Sequence, residues 1–101
     1  MPQTPLNTPI GAQISPAIIT NTTTLINSGN RAVLAGYVCT NAGSAWTVEF
    51  YNGNPASGGL SLGPAITLAV GSFSALQLAA PGGLYAVTSG TTAGSVQIAY
   101  Y

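Results

Sequence analysis

Apolar and polar residues alternate with a period of two along much of this chain. The clearest run is residues 45–52, where Trp46, Val48 and Phe50 fall on one parity and Thr47, Glu49 and Tyr51 on the other. That period belongs to an extended strand with one buried face, so the first three side chains point to a core and Glu49 points outward. The pattern recurs at residues 65–70 through Ile66, Leu68 and Val70, and at residues 95–101 through Val96, Ile98 and Tyr100. Residues 17–27, 31–40, 73–78 and 84–89 read as further strands. In the first of these, Ile18, Thr20, Thr22, Thr24 and Ile26 share a parity.

Turn-forming groups separate these runs. They are Ser28-Gly29-Asn30, Asn41-Ala42-Gly43-Ser44, Gly71-Ser72, Ala80-Pro81-Gly82-Gly83 and residues 90–94, with a longer Gly- and Pro-rich connection over residues 52–64. No window carries a helical period with caps, because Gly and β-branched residues interrupt every Ala-rich stretch. Short strands at such spacing predict an all-β domain over residues 17–101, an antiparallel β-sandwich or jelly roll of about seven strands.

Residues 1–16 differ. Pro2, Pro5, Pro9 and Pro16 fix φ and remove N–H donors, so neither a helix nor a central strand is expected there. The reading is an extended N-terminal arm whose reach, roughly 50 Å when stretched, exceeds the ~13 Å radius of gyration of a domain this size. Its Leu6, Ile10 and Ile14 suit docking on a neighbouring surface, and the competing reading is a frayed terminus.

The expected core is Trp46, Val48, Phe50, Ile66, Leu68, Leu76, Leu78, Leu84, Val96 and Ile98. The opposite parity also holds apolar side chains, namely Val33, Tyr37, Phe73, Tyr85, Val87, Ala99 and Tyr101. A second apolar face with almost no charge is what a subunit interface requires. The candidate contacts, with a partner's surface or with other subunits, are Pro5, Leu6, Pro9, Ile10, Ile14, Tyr37, Tyr85 and Tyr101. A homotrimer is the expected stoichiometry.

Charge sharpens this picture. Of 101 residues, only Arg31 and Glu49 are charged, and there is no Lys, Asp or His. A Ser-His-Asp triad, a His general base, a carboxylate pair and an intrachain zinc site therefore have no residues to build them. One Arg cannot neutralise a run of phosphates, which excludes electrostatic nucleic-acid binding. Neither an enzyme nor a cofactor is expected. Zero net charge removes the repulsion that keeps monomers apart and points to an assembly, the competing reading being a poorly charged soluble domain. No signal peptide is evident, and no run approaches the ~18 apolar residues of a membrane helix. Cys39 reads as a small packing residue, with an intermolecular disulfide as the alternative. If residues 31–52 form one hairpin, Arg31 and Glu49 do not meet within it, which leaves two solvated residues or an inter-subunit ion pair.

The segments Trp46-Thr47-Val48-Glu49-Phe50-Tyr51-Asn52-Gly53, Gly83-Leu84-Tyr85-Ala86-Val87-Thr88-Ser89-Gly90 and Ser95-Val96-Gln97-Ile98-Ala99-Tyr100 together resemble small β-sandwich virion proteins of tailed bacteriophages. Asn52 stands where such proteins often carry Asp, and Asn-Gly is itself a strong turn pair. The resemblance implies a capsid decoration (cement) protein, or a related neck, tail or fibre component. It implies assembly in the host cytoplasm, residence on the virion surface, and the major capsid protein of a phage head as partner, so that the candidate contacts are with a capsid or with other subunits. It carries no catalytic residues.

Two other readings compete. A carbohydrate-binding module would use Trp46, Tyr51, Tyr85, Tyr100 or Tyr101 as sugar platforms, although the parity of Trp46 favours the core. A Thr-rich surface binder, of ice for example, would use Thr20, Thr22 and Thr24. Asn21-Thr22-Thr23 also matches a glycosylation sequon.

Overall fold

A computed structural model describes residues 11–101, apart from the side chains of residues 73–76. The described chain is all-β, in two antiparallel sheets packed face to face. Its strands are β1 (Gln13–Ile14), β2 (Thr23–Asn27), β3 (Val33–Asn41), β4 (Thr47–Asn52), β5 (Leu60–Ser61), β6 (Ile66–Thr67), β7 (Gly71–Ala79), β8 (Leu84–Ser89) and β9 (Ser95–Tyr100). The first sheet runs β1-β9-β3-β7. The second runs β2-β8-β4-β5, with β6 also pairing on β4 beyond β5. Residues 1–10, which include Pro5, Leu6, Pro9 and Ile10 of the expected arm, lie outside the described residues.

The alternation read from the sequence sets the inner faces. Trp46, Val48, Leu84, Val96 and Ile98 are buried almost completely, and Phe50 and Leu68 close around them. Ile66 and Leu78, expected inside, are half-buried against this cluster. Burial is worth ~1.5–3 kcal/mol per large apolar side chain before entropy is counted, so this layer is the main source of cohesion. Leu76 belongs to the stretch whose side chains are not described.

Several expectations are corrected. Tyr37, expected on the exposed parity as a subunit contact, is 8% exposed and belongs to the core. The cause is a register shift between Leu34 and Gly36, where two steps along β3 match one along β9, while on the other side β7 takes four. An extra residue there inverts the parity, so Leu34, Tyr37 and Cys39 all face inward. Cys39 is 1% exposed, and its thiol donates to the Asn41 carbonyl at 3.3 Å, so it packs and cannot reach another chain's thiol. Val70 is 70% exposed because the chain leaves the second sheet after Leu68 and crosses to the first. β3 and β4 are not a hairpin, since they lie in different sheets.

Residues 17–27 are not one strand either. Ser15 and Ile18 bond to Ile98 and Val96 in the first sheet, and Thr22 bonds to Thr88 in the second. The segment between them switches sheets, and side chains replace the ladder where it breaks. Ser15 Oγ accepts the Ile98 N–H at 2.9 Å and donates to the Pro16 carbonyl at 3.0 Å. Asn21 Oδ1 accepts the Trp46 indole N–H at 2.8 Å, while its Nδ2 donates to the Gly90 carbonyl at 2.9 Å. The inward Thr88 hydroxyl accepts the Thr22 N–H at 3.1 Å and lies 2.7 Å from the Thr20 carbonyl. Among the described residues, Gln13 and Ile14 already pair with β9 in the first sheet. The switch also divides the Thr row, since Thr20 and Thr22 are exposed while Thr24 turns toward the interior.

The β3–β4 and β8–β9 connections meet at the other end, where the Ser44 N–H donates to the Thr92 carbonyl at 2.8 Å. Gly94 is buried against this crossing, and a Cβ there would collide with the Asn41 carbonyl. Gly58, in the left-handed region at φ 89°, faces open space instead. Gly94→Ala is expected to cost about 2 kcal/mol, roughly 10 °C in Tm for a domain this size. Gly58→Ala, which meets only backbone strain, should cost about 1 kcal/mol. Thermal unfolding of the two variants checks the order, and an unchanged Tm for Gly94→Ala would refute the close approach.

Candidate interaction face

With the inner parity committed to the core, the outer parity of the second sheet forms a continuous face. Cross-strand register builds it in rows. Leu25 of β2 stands opposite Tyr85 of β8, Tyr85 opposite Tyr51 of β4, and Tyr51 opposite Ser61 of β5. The next row is Thr23, Val87 and Glu49, and the third is Ser89, Thr47 and Thr67. Directly opposed side chains on one face sit about 5 Å apart at Cβ, so the two Tyr rings and Leu25 are adjacent. Leu25 is 49% exposed, and Tyr85, Val87 and Tyr51 are half-buried by one another.

Glu49, the chain's only carboxylate, sits within this face and is already engaged. Its Oε2 lies 2.6 Å from Ser61 Oγ, and it also accepts the Tyr51 phenol proton. Ser61 Oγ is equally close to the Gly63 carbonyl, so its single proton serves one acceptor at a time. The hydrogen bond to Glu49 is the main reason the Tyr51 pKa is raised above its ordinary value near 10, with desolvation and carboxylate repulsion adding to it. Tyr37 is raised as well, first by burial and then by Cys39. Arg31 is exposed in the turn before β3, outside the strands that carry Glu49 and its row.

The other expected contacts do not gather in one place. Ile14 is 47% exposed on the opposite broad face, opposite Ala99 of β9. Tyr101 is 38% exposed at the end of β9, where its backbone pairs with Val33 and its carbonyl accepts the Asn27 side-chain amide at 2.9 Å. Tyr85 alone of the described set lies on the Leu25–Tyr85–Tyr51 row. Of the sugar-platform candidates, Trp46 is 1% exposed and cannot stack on a ligand, and Tyr100 packs partly into the core. Tyr51 and Tyr85 remain.

A second feature was not anticipated. An apolar cleft of about 170 Å³ opens between β7 and the β5–β6 edge, lined by Leu34, Tyr37, Phe50, Leu62, Ile66 and Leu78, with Gly63 and Pro64 at its margin. Its residues come from five separate strands and connections, so no local motif announces it. Among the described residues, no group of His, Cys, Asp and Glu could hold a metal ion, and no helix is long and apolar enough to cross a membrane. Compared with protein-family models, curated proteins and solved structures, the chain matches none of them.

The two raised Tyr pKa values carry a sign. Both groups hold their protons more tightly folded than unfolded, so their contribution is complete below the unfolded value near 10 and lost as pH rises through the folded values. Thermal stability measured across alkaline pH should hold until about 10 and then fall. Glu49→Gln removes the anionic acceptor, so in a spectrophotometric titration one of the five tyrosines should ionise at lower pH than in the parent chain. An unchanged titration would refute the Glu49–Tyr51 link.

Proposed function

We propose that this protein is a structural, adhesive component of a larger assembly. It associates with copies of itself and bridges subunits of a shell, the most specific form of that reading being a decoration protein on a phage head. The supporting observation is the broad outer face of the second sheet, with Leu25, Tyr85, Tyr51 and Val87 contiguous and its sole carboxylate tied to its own neighbours. Such a face offers apolar area and aromatic anchors, the residues that dominate interface energetics. It offers nothing to attract an ionic ligand. Contact formed this way depends weakly on salt, because few charges are screened. The phage head itself is suggested by the sequence resemblance.

A carbohydrate-binding role is the second reading. The pairing of Tyr51 with Tyr85 beside a carboxylate and several hydroxyls favours it, since sugars stack on aromatic faces and bond to such groups.

Sedimentation velocity over a range of concentrations separates these readings. The adhesive reading expects a concentration-dependent oligomer and co-sedimentation with undecorated phage heads. Leu25→Lys with Tyr85→Lys should weaken self-association at least tenfold, about 1.4 kcal/mol, while leaving the fold intact. A stable monomer that stays in the supernatant and binds a glycan array through Tyr51 and Tyr85 would overturn it in favour of the sugar reading.

A further inference from the structure

The four sheet edges of the sandwich are unequal. β1 ends near Pro16, β2 carries a bulge between Leu25 and Asn27, and β5 and β6 are two residues each beside Gly63 and Pro64. Short strands, bulges and prolines all blunt an edge. Among the described residues, β7 pairs with β3 alone; it is nine residues long and contains no proline or charge, although two extra residues interrupt its pairing between Ser74 and Leu78. The apolar cleft meets this strand at Leu78. The geometry points to a receptor for an added strand, and we infer that its occupant is residues 4–10 of a second copy of this chain. This inference rests on the self-association proposed above.

The direction of the edge groups makes the inference specific. Ser15 and Ile18 bond to Ile98 and Val96, so these two β9 residues face β1, while Gln97 and Ala99 face β3. Alternation then turns Tyr37 and Cys39 toward β7, where their partners are residues 73 and 71. The backbone groups of Ser72 therefore face the free edge. On the other side of the bulge, Ala80 donates to Ala32, which leaves Gln77 and Ala79 facing that edge. The side chains of Ser72, Gln77 and Ala79 are exposed, so they stand on the outer face.

Extended, residues 4–10 place Thr4, Leu6, Thr8 and Ile10 on one parity and Pro5, Asn7 and Pro9 on the other. A strand added parallel to β7 turns the same residues both inward and toward the β7 backbone. Leu6 and Ile10 then enter the cleft with their N–H groups paired. Pro5 and Pro9 face solvent, where a missing N–H costs nothing and the new edge is capped. An antiparallel strand with Leu6 and Ile10 inward would aim both prolines at β7 and forfeit two bonds. The cleft suits the side chain, since an apolar cavity of ~150 Å³ accommodates benzene.

Reach selects a second copy over the chain's own cleft. Gln13 is fixed at the far edge of the first sheet, three inter-strand gaps or about 14 Å from β7. Ile10 is three residues from Gln13, about 10 Å even when stretched straight across. It cannot lie along its own β7 together with Leu6, whereas a neighbour's β7 imposes no such limit.

Co-expressed Leu6→Cys and Pro64→Cys chains test this. Pro64 is an exposed residue at the margin of the cleft, and Cys39 is buried, so mild oxidation reports only the new pair. The expected result is a covalent heterodimer, a shift to twice the chain mass, that is lost when Ala56→Cys replaces Pro64→Cys. Equal yield from the Ala56→Cys control overturns the site. So does an internal cross-link in the doubly substituted chain without a heterodimer, which would mean the chain's own cleft is filled. Absence of both cross-links also overturns it. Native mass spectrometry of the parent chain then tells the two proposals apart. An oligomer means that only the docking site is wrong, and a monomer means that the adhesive reading fails with it.

Discussion

Two inner faces must close on each other with no ion pair to help them. Trp46, Val48, Leu84, Val96 and Ile98 lose nearly all contact with water when they do. Each polar group caught at that boundary is satisfied locally, and no buried side-chain nitrogen or oxygen among the described residues lacks a partner. Ser15, Asn21 and Thr88 do this where the chain passes from one sheet to the other. An unmade bond at such a place costs ~1–3 kcal/mol, a large share of the stability of a domain this size. The indole N–H of Trp46 shows the coupling, because the residue that anchors the core also holds the sheet-switching segment through Asn21.

The architecture was legible to the extent that a period of two was unbroken. β4, β8 and β9 keep strict alternation, and their inner residues are those the sequence pattern selects. The misreadings cluster where the period breaks. The bulge in β3 inverts parity between Leu34 and Tyr37, and nothing in Val33-Leu34-Ala35-Gly36-Tyr37 marks it beyond a Gly that could serve many purposes. The sheet switch splits a Thr-rich run that reads as one strand, because its cause is a set of side-chain bonds to residues some seventy positions away. Asn41-Ala42-Gly43-Ser44 is a turn signal, but a turn signal does not say whether the next strand stays in the same sheet.

The outer face was less legible, for a related reason. Tyr51 and Tyr85 were each recognisable as exposed aromatics, but their adjacency depends on β4 pairing with β8 at a particular register. Leu25 joins them only because β2 pairs on the other side of β8. Glu49 gave the clearest polar signal in the sequence and drew attention toward Arg31. Its actual partners, Tyr51 two residues along the strand and Ser61 on the neighbouring one, turn the single anion into an internal element of the face. The face therefore presents an apolar row flanked by hydroxyls, which is a surface for contact.

Two places on the sandwich are left uncovered, the cleft and the β7 edge. The second sheet ends in β5 and β6, two residues apiece, and no full strand lies opposite β7 across the sandwich. The missing length leaves Leu34, Phe50, Leu62 and Leu78 incompletely covered, which opens the cleft. Among the described residues, no element flanks the nine-residue edge either. A monomer gains nothing from this pairing of defects, since each raises the cost of remaining alone in water. An extended, uncharged strand with aliphatic residues on one parity and prolines on the other would remedy both at once. The chain carries such a sequence immediately before its first described residue.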